Sequence, residues 1–219
     1  MDKFYWGRRG SGKTFGAVAF DLWLDWLSGS EIWSNTWLHP YFDINYITKK
    51  TGNYHFVDAV DLIRMLVEDS ETPYSDDEVP KTLLLDEIKT QANARNFGSF
   101  INRHLTDFIS QARKRNFKVI YTDQILGAYD RWIRHMTDKI VRCMPILNPN
   151  DLGWGNEEYP EPVVFQFIEL DLTEDNIDSE TAYTTYGLSR KTARNFYPLY
   201  RTRQIITPLD LKYGDEIKV

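Results

Sequence analysis

Cysteine is almost absent from the sequence. Cys143 is the only one in 219 residues, which excludes an intrachain disulfide and a cysteine-rich metal site. A lone thiol is typical of proteins from a reducing compartment inside the cell. We interpret Cys143 itself as a small core residue beside a strand.

Long hydrophobic runs are missing too. The most apolar stretch, residues 17–27, is about half as long as a bilayer requires and contains Asp21 and Asp25. No leader peptide is expected, because a glycine-rich turn already begins at residue 7. The sequence therefore predicts a soluble protein, and peripheral attachment to a membrane stays open.

Positive charge is in deficit. The chain has 26 Lys and Arg against 32 Asp and Glu, a net charge of −6. This balance argues against a protein that binds nucleic acid over its whole surface. The charge is nevertheless clustered, with basic residues in 113–118, 131–135 and 190–203 and acidic ones in 68–78 and 169–180. Such clusters are usually solvated faces.

Apolar patterning predicts alternating strands and helices. Short apolar runs bounded by charge indicate buried strands, and apolar positions three and four apart indicate amphipathic helices. Strands are predicted at 3–6, 31–34, 82–85, 117–122, 139–144, 162–172 and 203–206, and helices at 14–27, 58–68 (Asp58 as N-cap), 99–115, 128–137 and 189–197. This alternation is typical of an α/β protein with a mostly parallel central sheet flanked by helices. Residues 69–80 are predicted to form a loop.

The most specific motif lies near the N-terminus. Gly7-Arg8-Arg9-Gly10-Ser11-Gly12-Lys13-Thr14 matches G-x-x-x-x-G-K-[ST] at every fixed position. Glycines allow the backbone to turn its N–H groups toward phosphate oxygens, and the following helix adds the positive end of its dipole. Lys13 is predicted to reach the β- and γ-phosphates of ATP, and the Thr14 hydroxyl to bind Mg²⁺. The motif therefore predicts a nucleotide site formed by residues 7–14.

A pair of acids follows the predicted strand 82–85. Asp86 stands at the carboxyl end of this strand, where an aspartate can hold Mg²⁺ from the second coordination sphere. Glu87 is suited to accept a proton from the water that attacks the γ-phosphate. Acid pairs after apolar runs are common, so the prediction of hydrolysis depends on the glycine-rich motif as well.

Polar residues also end the predicted strand 117–122. A side chain at the tip of a neighbouring strand can sense the γ-phosphate or orient the attacking water. We assign this role to Gln124, with Thr122 and Asp123 as alternatives. An ordinary turn at the end of a strand is the competing interpretation.

Together these segments resemble the HerA–FtsK superfamily of ring-forming DNA-translocating ATPases. They are most similar to the small genome-packaging ATPases of archaeal and bacterial viruses with internal membranes, to which the Zot-type phage assembly proteins are related. The Asp-Glu pair, the Q-A-R-K-R helix end and the strand ending in glutamine are more specific than the glycine-rich motif. Residues 150–219 match only in the tyrosine-rich segment 196–200, and Asp123 stands where a small residue is expected. The matching segments are Gly7–Thr14, Ser34-Asn35, Leu83–Glu87, Gln111–Arg115, Ile120–Gln124 and Asp130–Arg134.

The resemblance implies a P-loop NTPase fold of the ASCE/RecA-like type. We predict one domain over residues 1–219, with 1–145 as the nucleotide-binding core and 146–219 as its β-rich and helical extension. The family implies a homo-oligomeric ring, hexameric or pentameric, with ATP between subunits and an arginine finger from the neighbour. Arg113 is our choice, because it lies on a polar stripe of the predicted helix 99–115. The alternatives are Arg115, Arg131, Arg134 and Arg95.

The leading hypothesis is a motor that uses ATP hydrolysis to package double-stranded DNA into a preformed capsid. It predicts a capsid vertex or portal protein as partner, location in the host cytoplasm or the virion, and an optional peripheral contact with a virion membrane. DNA affinity is expected to fall steeply with salt, because such a motor contacts phosphates. The unranked candidate contacts are Lys49, Lys50, Lys114, Lys118, Arg190, Lys191 and Arg194.

Three alternatives stay open. A small P-loop kinase would use the same loop, although the Asp86–Glu87 pair favours activation of water. A Zot-like assembly or secretion ATPase normally carries a membrane-spanning segment after its ATPase domain, which is not expected in this chain. A conjugative or chromosomal DNA pump normally has further domains.

Overall fold

The computed structural model describes residues 1–68, 79–88, 100–124, 135–147, 162–172 and 182–201. The strands are β1 (Lys3–Trp6), β2 (Glu31–Ser34), β3 (Tyr54–Phe56), β4 (Lys81–Leu85), β5 (Phe117–Asp123), β6 (Lys139–Ile146), β7 (Val164–Asp171) and β8 (Tyr183–Ser189). The helices are α1 (Lys13–Leu27), α2 (Ala59–Glu68), α3 (Phe100–Ala112) and α4 (Arg190–Ala193). Short 3₁₀ turns lie at Pro40–Asp43, Arg113–Arg115 and Tyr197–Leu199.

The described strands form one eight-stranded sheet in the order β3-β2-β4-β5-β1-β6-β7-β8. Strands β1 to β6 are parallel to one another, and β7 and β8 are added antiparallel at the β6 edge. The predicted α/β class with a mostly parallel, helix-flanked sheet is therefore confirmed. β1 is central, with Phe4 opposite Tyr121 of β5 on one side and Ile140 of β6 on the other.

Alternate residues of the central strands enter two separate cores, because successive side chains of a strand point to opposite faces. Helix α1 covers one face and α2 and α3 cover the other. The α1 side contains Tyr5, Phe15, Leu22, Leu84, Ile120 and Phe167. The opposite side contains Phe4, Leu62, Leu83, Leu105, Phe108 and Val119.

Helix α1 agrees with its predicted span but contains an unexpected wide turn. Its segments are α-helical at Lys13–Gly16, π-helical at Ala17–Leu22 and α-helical again at Trp23–Leu27. Asp21 lies in the π-helical part and is almost fully buried. Wide turns of this kind often occur at functional positions. None of the described helices is long and apolar enough to cross a bilayer.

Helix α2 begins as predicted. Asp58 Oδ1 accepts hydrogen bonds from the backbone N–H groups of Val60 (2.9 Å) and Asp61 (3.1 Å). In return, the Asp61 carboxylate accepts the Asp58 N–H at 2.9 Å. This reciprocal capping satisfies N–H groups that would otherwise have no partner at the start of the helix.

Some predicted elements differ from the structure. Strands β3 and β8 were not predicted, and the predicted helix 189–197 is helical only at Arg190–Ala193 before a 3₁₀ turn. Most of the predicted helix 128–137 and loop 69–80, and all of the predicted strand 203–206, lie outside the described residues. β8 gave no apolar signal because most of its residues are exposed at the edge of the sheet.

Candidate functional site

The predicted functional residues meet at the carboxyl edge of the parallel strands. Residues 7–14 follow β1, Asn35 follows β2, Asp86 and Glu87 follow β4, and Gln124 follows β5. Because these four strands are adjacent and parallel, their carboxyl ends open on the same crevice.

The glycine-rich loop is shaped by contacts that only glycine allows. Gly12 has φ 88°, and a Cβ at this position would lie 2.6 Å from Cδ1 of Phe165. Within the loop, the Ser11 N–H donates to the Arg8 carbonyl at 3.1 Å. The Gly16 N–H donates to the Gly12 carbonyl at 2.7 Å and begins α1. The loop therefore leads directly into a helix N-terminus, which attracts anions.

Two side chains of this loop fit a phosphate group. The Ser11 hydroxyl is buried and has no hydrogen-bond partner among the described residues. The Lys13 Nζ donates to the Arg8 carbonyl at 3.3 Å. Burial lowers the pKa of Lys13, and the Asp86 carboxylate opposes that shift. An unpartnered hydroxyl and a desolvated ammonium are groups that a bound phosphate would satisfy.

The two residues predicted to hold Mg²⁺ are in contact. Thr14 Oγ1 donates to Asp86 Oδ1 at 2.8 Å, and the Thr122 hydroxyl donates to the same oxygen. Desolvation raises the pKa of Asp86, and these two hydroxyls partly offset the shift. A hydroxyl and a carboxylate form the all-oxygen donor set that Mg²⁺ prefers. The residues present therefore fit the ion.

Two residues support the acids in a way that the sequence did not reveal. Asn35 binds the Asp86 backbone from both sides: its Oδ1 accepts the N–H at 2.7 Å and its Nδ2 donates to the carbonyl at 2.9 Å. Thr122 Oγ1 accepts the Glu87 N–H at 3.1 Å while its hydroxyl donates to Asp86. Ser34-Asn35 is one of the segments that carry the resemblance and Thr122 was an alternative to Gln124, but their contacts with the two acids were not predicted.

Glu87 occupies a backbone conformation that few non-glycine residues adopt. Its φ is 48°, in the left-handed region. Such conformations cluster at functional sites, where surrounding contacts must hold them. Here the hydrogen bond from the Glu87 N–H to Thr122 contributes to that restraint.

Gln124 lies at the same edge, partly buried. Its backbone N–H donates to Asp123 Oδ1 at 2.5 Å. Asp123, the acid where a small residue was expected, is fully buried. It caps the end of β5, which gives the unexpected residue a local structural role.

The predicted arginine finger lies at the opposite edge of the sheet. Arg113 Nη2 is 2.5 Å from Asp138 Oδ1, and its Nε is 3.5 Å from Asp2 Oδ2. Both acids immediately precede strands, β1 and β6, at their amino ends. Arg113 therefore has partners within its own subunit. Arg115 donates to the Met65 carbonyl at 3.3 Å, and Arg95, Arg131 and Arg134 lie outside the described residues.

One of the predicted DNA contacts must be corrected. The Lys118 ammonium lies 2.8 Å from both Asp21 Oδ1 and Asp25 Oδ2, so it binds α1 to β5 and is not offered to DNA. Lys49, Lys50, Lys114, Lys191 and Arg194 are exposed, and Arg190 is partly buried with its Nε donating to the Pro162 carbonyl at 3.0 Å.

A cavity of about 230 Å³ opens beside the glycine-rich loop. Its lining combines loop residues with aromatic residues of the C-terminal extension. They are Gly10, Gly12, Lys13, Thr14, Phe15, Phe165, Tyr197 and Tyr200. β7 and the segment that follows α4 therefore border the glycine-rich loop.

No protein-family model matches the chain, and no curated protein matches it in sequence. Solved structures do. The N-terminal domain of zonular occludens toxin from Neisseria meningitidis is 15% identical, with a TM-score of 0.50, covering 91% of this chain and 98% of that domain. The genome packaging NTPase B204 from Sulfolobus turreted icosahedral virus 2, in complex with AMPPCP, is 12% identical, with a TM-score of 0.51, covering 85% of this chain and 95% of B204. Both are proteins of the kinds that the sequence resemblance named. At these identities the likeness is one of fold, and the fold of this chain is that of a P-loop ATPase.

Proposed function

We propose that this protein is a magnesium-dependent ATP hydrolase. The contact between the Thr14 hydroxyl and the Asp86 carboxylate, 2.8 Å long, carries the proposal. It joins the phosphate-binding loop to the strand that bears the acids. The Ser11 hydroxyl of the same loop is buried and has no hydrogen-bond partner among the described residues. A bound phosphate would satisfy it, which supports the same proposal.

Each residue has a defined task in this proposal. Lys13 and the N–H groups of residues 8–14 bind the phosphates, and Thr14 with Asp86 would hold Mg²⁺. The ion, when bound, supplies positive charge that offsets the charge of the phosphates. Glu87 accepts the proton of the attacking water, and Gln124 orients that water.

The assay is ATP turnover by the purified chain. Lys13→Ala is expected to abolish binding, whereas Glu87→Gln is expected to keep it and lose turnover by about 10²–10⁴-fold, the usual contribution of a general base. Glu31→Gln is the control, because Glu31 lies at the amino end of β2, away from the site. Wild-type turnover retained by Glu87→Gln would remove Glu87 from the chemistry.

We further propose that hydrolysis drives double-stranded DNA through a ring of subunits during genome packaging. The support is the fold shared with a genome packaging NTPase and the exposed cations Lys49, Lys50 and Lys114. A capsid vertex or portal protein is the partner that this function requires.

Turnover with and without duplex DNA, together with the mass in solution, tests this finer proposal. We expect an oligomer whose turnover is stimulated by DNA and whose DNA affinity falls with salt. Hydrolysis by an oligomer that ignores DNA would favour a Zot-like assembly ATPase. Phosphate transfer to a metabolite would favour a kinase.

A further inference from the structure

Three aromatic residues of the C-terminal extension border the phosphate loop. Phe165 of β7 and Tyr197 and Tyr200 of segment 196–200 line the cavity beside residues 10–15. Nothing in the proposed chemistry uses these rings. Their position beside a triphosphate site suggests contact with the rest of the nucleotide.

The tyrosine segment is fixed to the body of the protein. The His39 N–H donates to the Leu199 carbonyl at 2.8 Å, and the Arg201 N–H donates to the Trp37 carbonyl at 3.2 Å. Between them, Leu38 and Tyr200 form an isolated antiparallel bridge. Tyr197 and Tyr200 are therefore held in place before any ligand binds, which reduces the entropy cost of binding.

Phe15 contacts both Phe165 and Tyr197. The ring centroid of Phe15 lies 4.9 Å from that of Phe165 and 6.0 Å from that of Tyr197. Phe165 also packs against Gly12, since a Cβ added at Gly12 would lie 2.6 Å from Phe165 Cδ1. The aromatic group and the phosphate loop are thus one packed unit.

The order of strands decides which end of the nucleotide lies near these rings. Asp86 follows β4, which is on one side of β1, whereas Phe165 belongs to β7 on the other side. With the terminal phosphate near Thr14 and Asp86, the cavity that Phe165 and Tyr197 line would be the space for the sugar and base.

We propose that Tyr197, which contacts Phe15, forms the surface against which the base of the bound nucleotide packs. This inference rests on the proposed ATP site and deepens it. An aromatic ring packs on the π-face of a base with a favourable free energy that depends little on which base it is. Tyr197 is then a binding residue outside the phosphate loop.

The test compares a ligand that has a base with one that has none. Calorimetry with Mg·ATP and with magnesium tripolyphosphate is carried out on the wild type and on Tyr197→Ala. We expect the substitution to weaken ATP binding on the order of 10- to 100-fold and to leave tripolyphosphate binding within about 2-fold. Tyr197→Phe, which keeps the ring, is expected to retain ATP affinity.

Phe196→Leu is the matched control. Phe196 also contacts Phe15, at 6.2 Å between centroids, and contacts Trp23 at 6.1 Å, but it does not line the cavity. Equal weakening of both ligands by Tyr197→Ala, or unchanged ATP affinity, would overturn the inference. Failure of the wild type to bind either ligand would overturn the proposed ATP site itself and this inference with it.

Discussion

Burial and cation binding favour opposite protonation states of Asp86. Its carboxylate must be ionised to hold a cation, yet desolvation raises its pKa above the ordinary value of 3.8. Because the folded pKa lies above the unfolded one, the stability that this group contributes is present at low pH and is lost as pH rises through the folded pKa. At neutral pH the raised pKa of Asp86 therefore lowers the stability of the nucleotide-free protein.

Asp86→Asn removes this cost. We expect the variant without nucleotide to have a melting temperature at or above that of the wild type at neutral pH, with the difference disappearing at about pH 4. The stabilisation by Mg·ATP should be lost in the variant, in keeping with the usual trade-off at functional sites. Thermal unfolding with and without Mg·ATP measures both effects. A less stable variant that still gains from Mg·ATP contradicts the assignment.

Thr122 determines whether both acids are correctly placed. Thr122→Val removes a donor to Asp86 and the acceptor of the Glu87 N–H. We expect turnover to fall about 10-fold or more, because catalysis is sensitive to small displacements of the acids. Thr122→Ser keeps the hydroxyl and should restore most of the rate. Measuring kcat and KM for both variants tests this positioning role. Equal turnover by Thr122→Val and the wild type would exclude it.

Some residues of the site could be predicted from the sequence because phosphate binding requires them at fixed spacings, and others could not. Lys13 and Thr14 follow from a fixed spacing, and the acids from a strand that ends in charge. Asn35 and Thr122 act only through the lateral alignment of β2, β4 and β5. That alignment is a property of the sheet, and no spacing along the chain encodes it.

Helix α1 is fixed to the sheet by a charged cluster under its wide turn. Asp21 accepts hydrogen bonds from Tyr5 (2.5 Å) and Lys118 (2.8 Å), and Lys118 also contacts Asp25. Burial alone would raise the pKa of Asp21, but the ammonium groups of Lys118 and Lys3 outweigh it and hold the pKa below its usual range. The resulting stability is present above the unfolded pKa of 3.8 and is lost as pH falls through the folded value.

Lys118→Met keeps the apolar stem and removes the charge. Because Asp21 is then left buried with weaker compensation, we expect a loss of about 2–4 kcal/mol in the free energy of unfolding. Adding Asp21→Asn should recover part of this loss. Urea unfolding at neutral pH measures the single and double variants. A change below about 0.5 kcal/mol for Lys118→Met would show that the cluster does not fix α1.

The elements differ in how far sequence could predict them. β4 is buried on both faces and α3 packs one face on a core, so each has a strong apolar pattern. β3 has three residues and β8 is mostly exposed, so neither has a clear period. The wide turn in α1 left no signal because its backbone alone distinguishes it from an α-helix.

At the scale of the whole molecule, the role of Arg113 depends on whether subunits assemble. We keep the prediction that Arg113→Ala preserves the fold and ATP binding but loses turnover, on the order of 10³-fold or more for a finger. The exposed guanidinium stabilises its own subunit by at most about 1 kcal/mol through Asp138. Turnover of the assembled protein is the measurement.

Asp138→Asn separates the two roles of Arg113, because it removes the charge of the nearer partner, leaves Asp2 as the other, and keeps the arginine. A finger predicts that this variant keeps turnover whereas Arg113→Ala does not. Comparable turnover of both variants and the wild type would leave Arg113 as an internal ion pair only.

The central position of β1 has a consequence for biosynthesis. Lys3–Trp6 is synthesised well before its partners, residues 120–123 and 139–142. The rings of Tyr197 and Tyr200 emerge later still. A nascent chain thus carries the complete glycine-rich sequence long before the sheet that shapes it exists, and long-range pairing of this kind is slow. The glycine-rich loop therefore reaches its folded position only after β5 and β6 have been synthesised and have paired with β1.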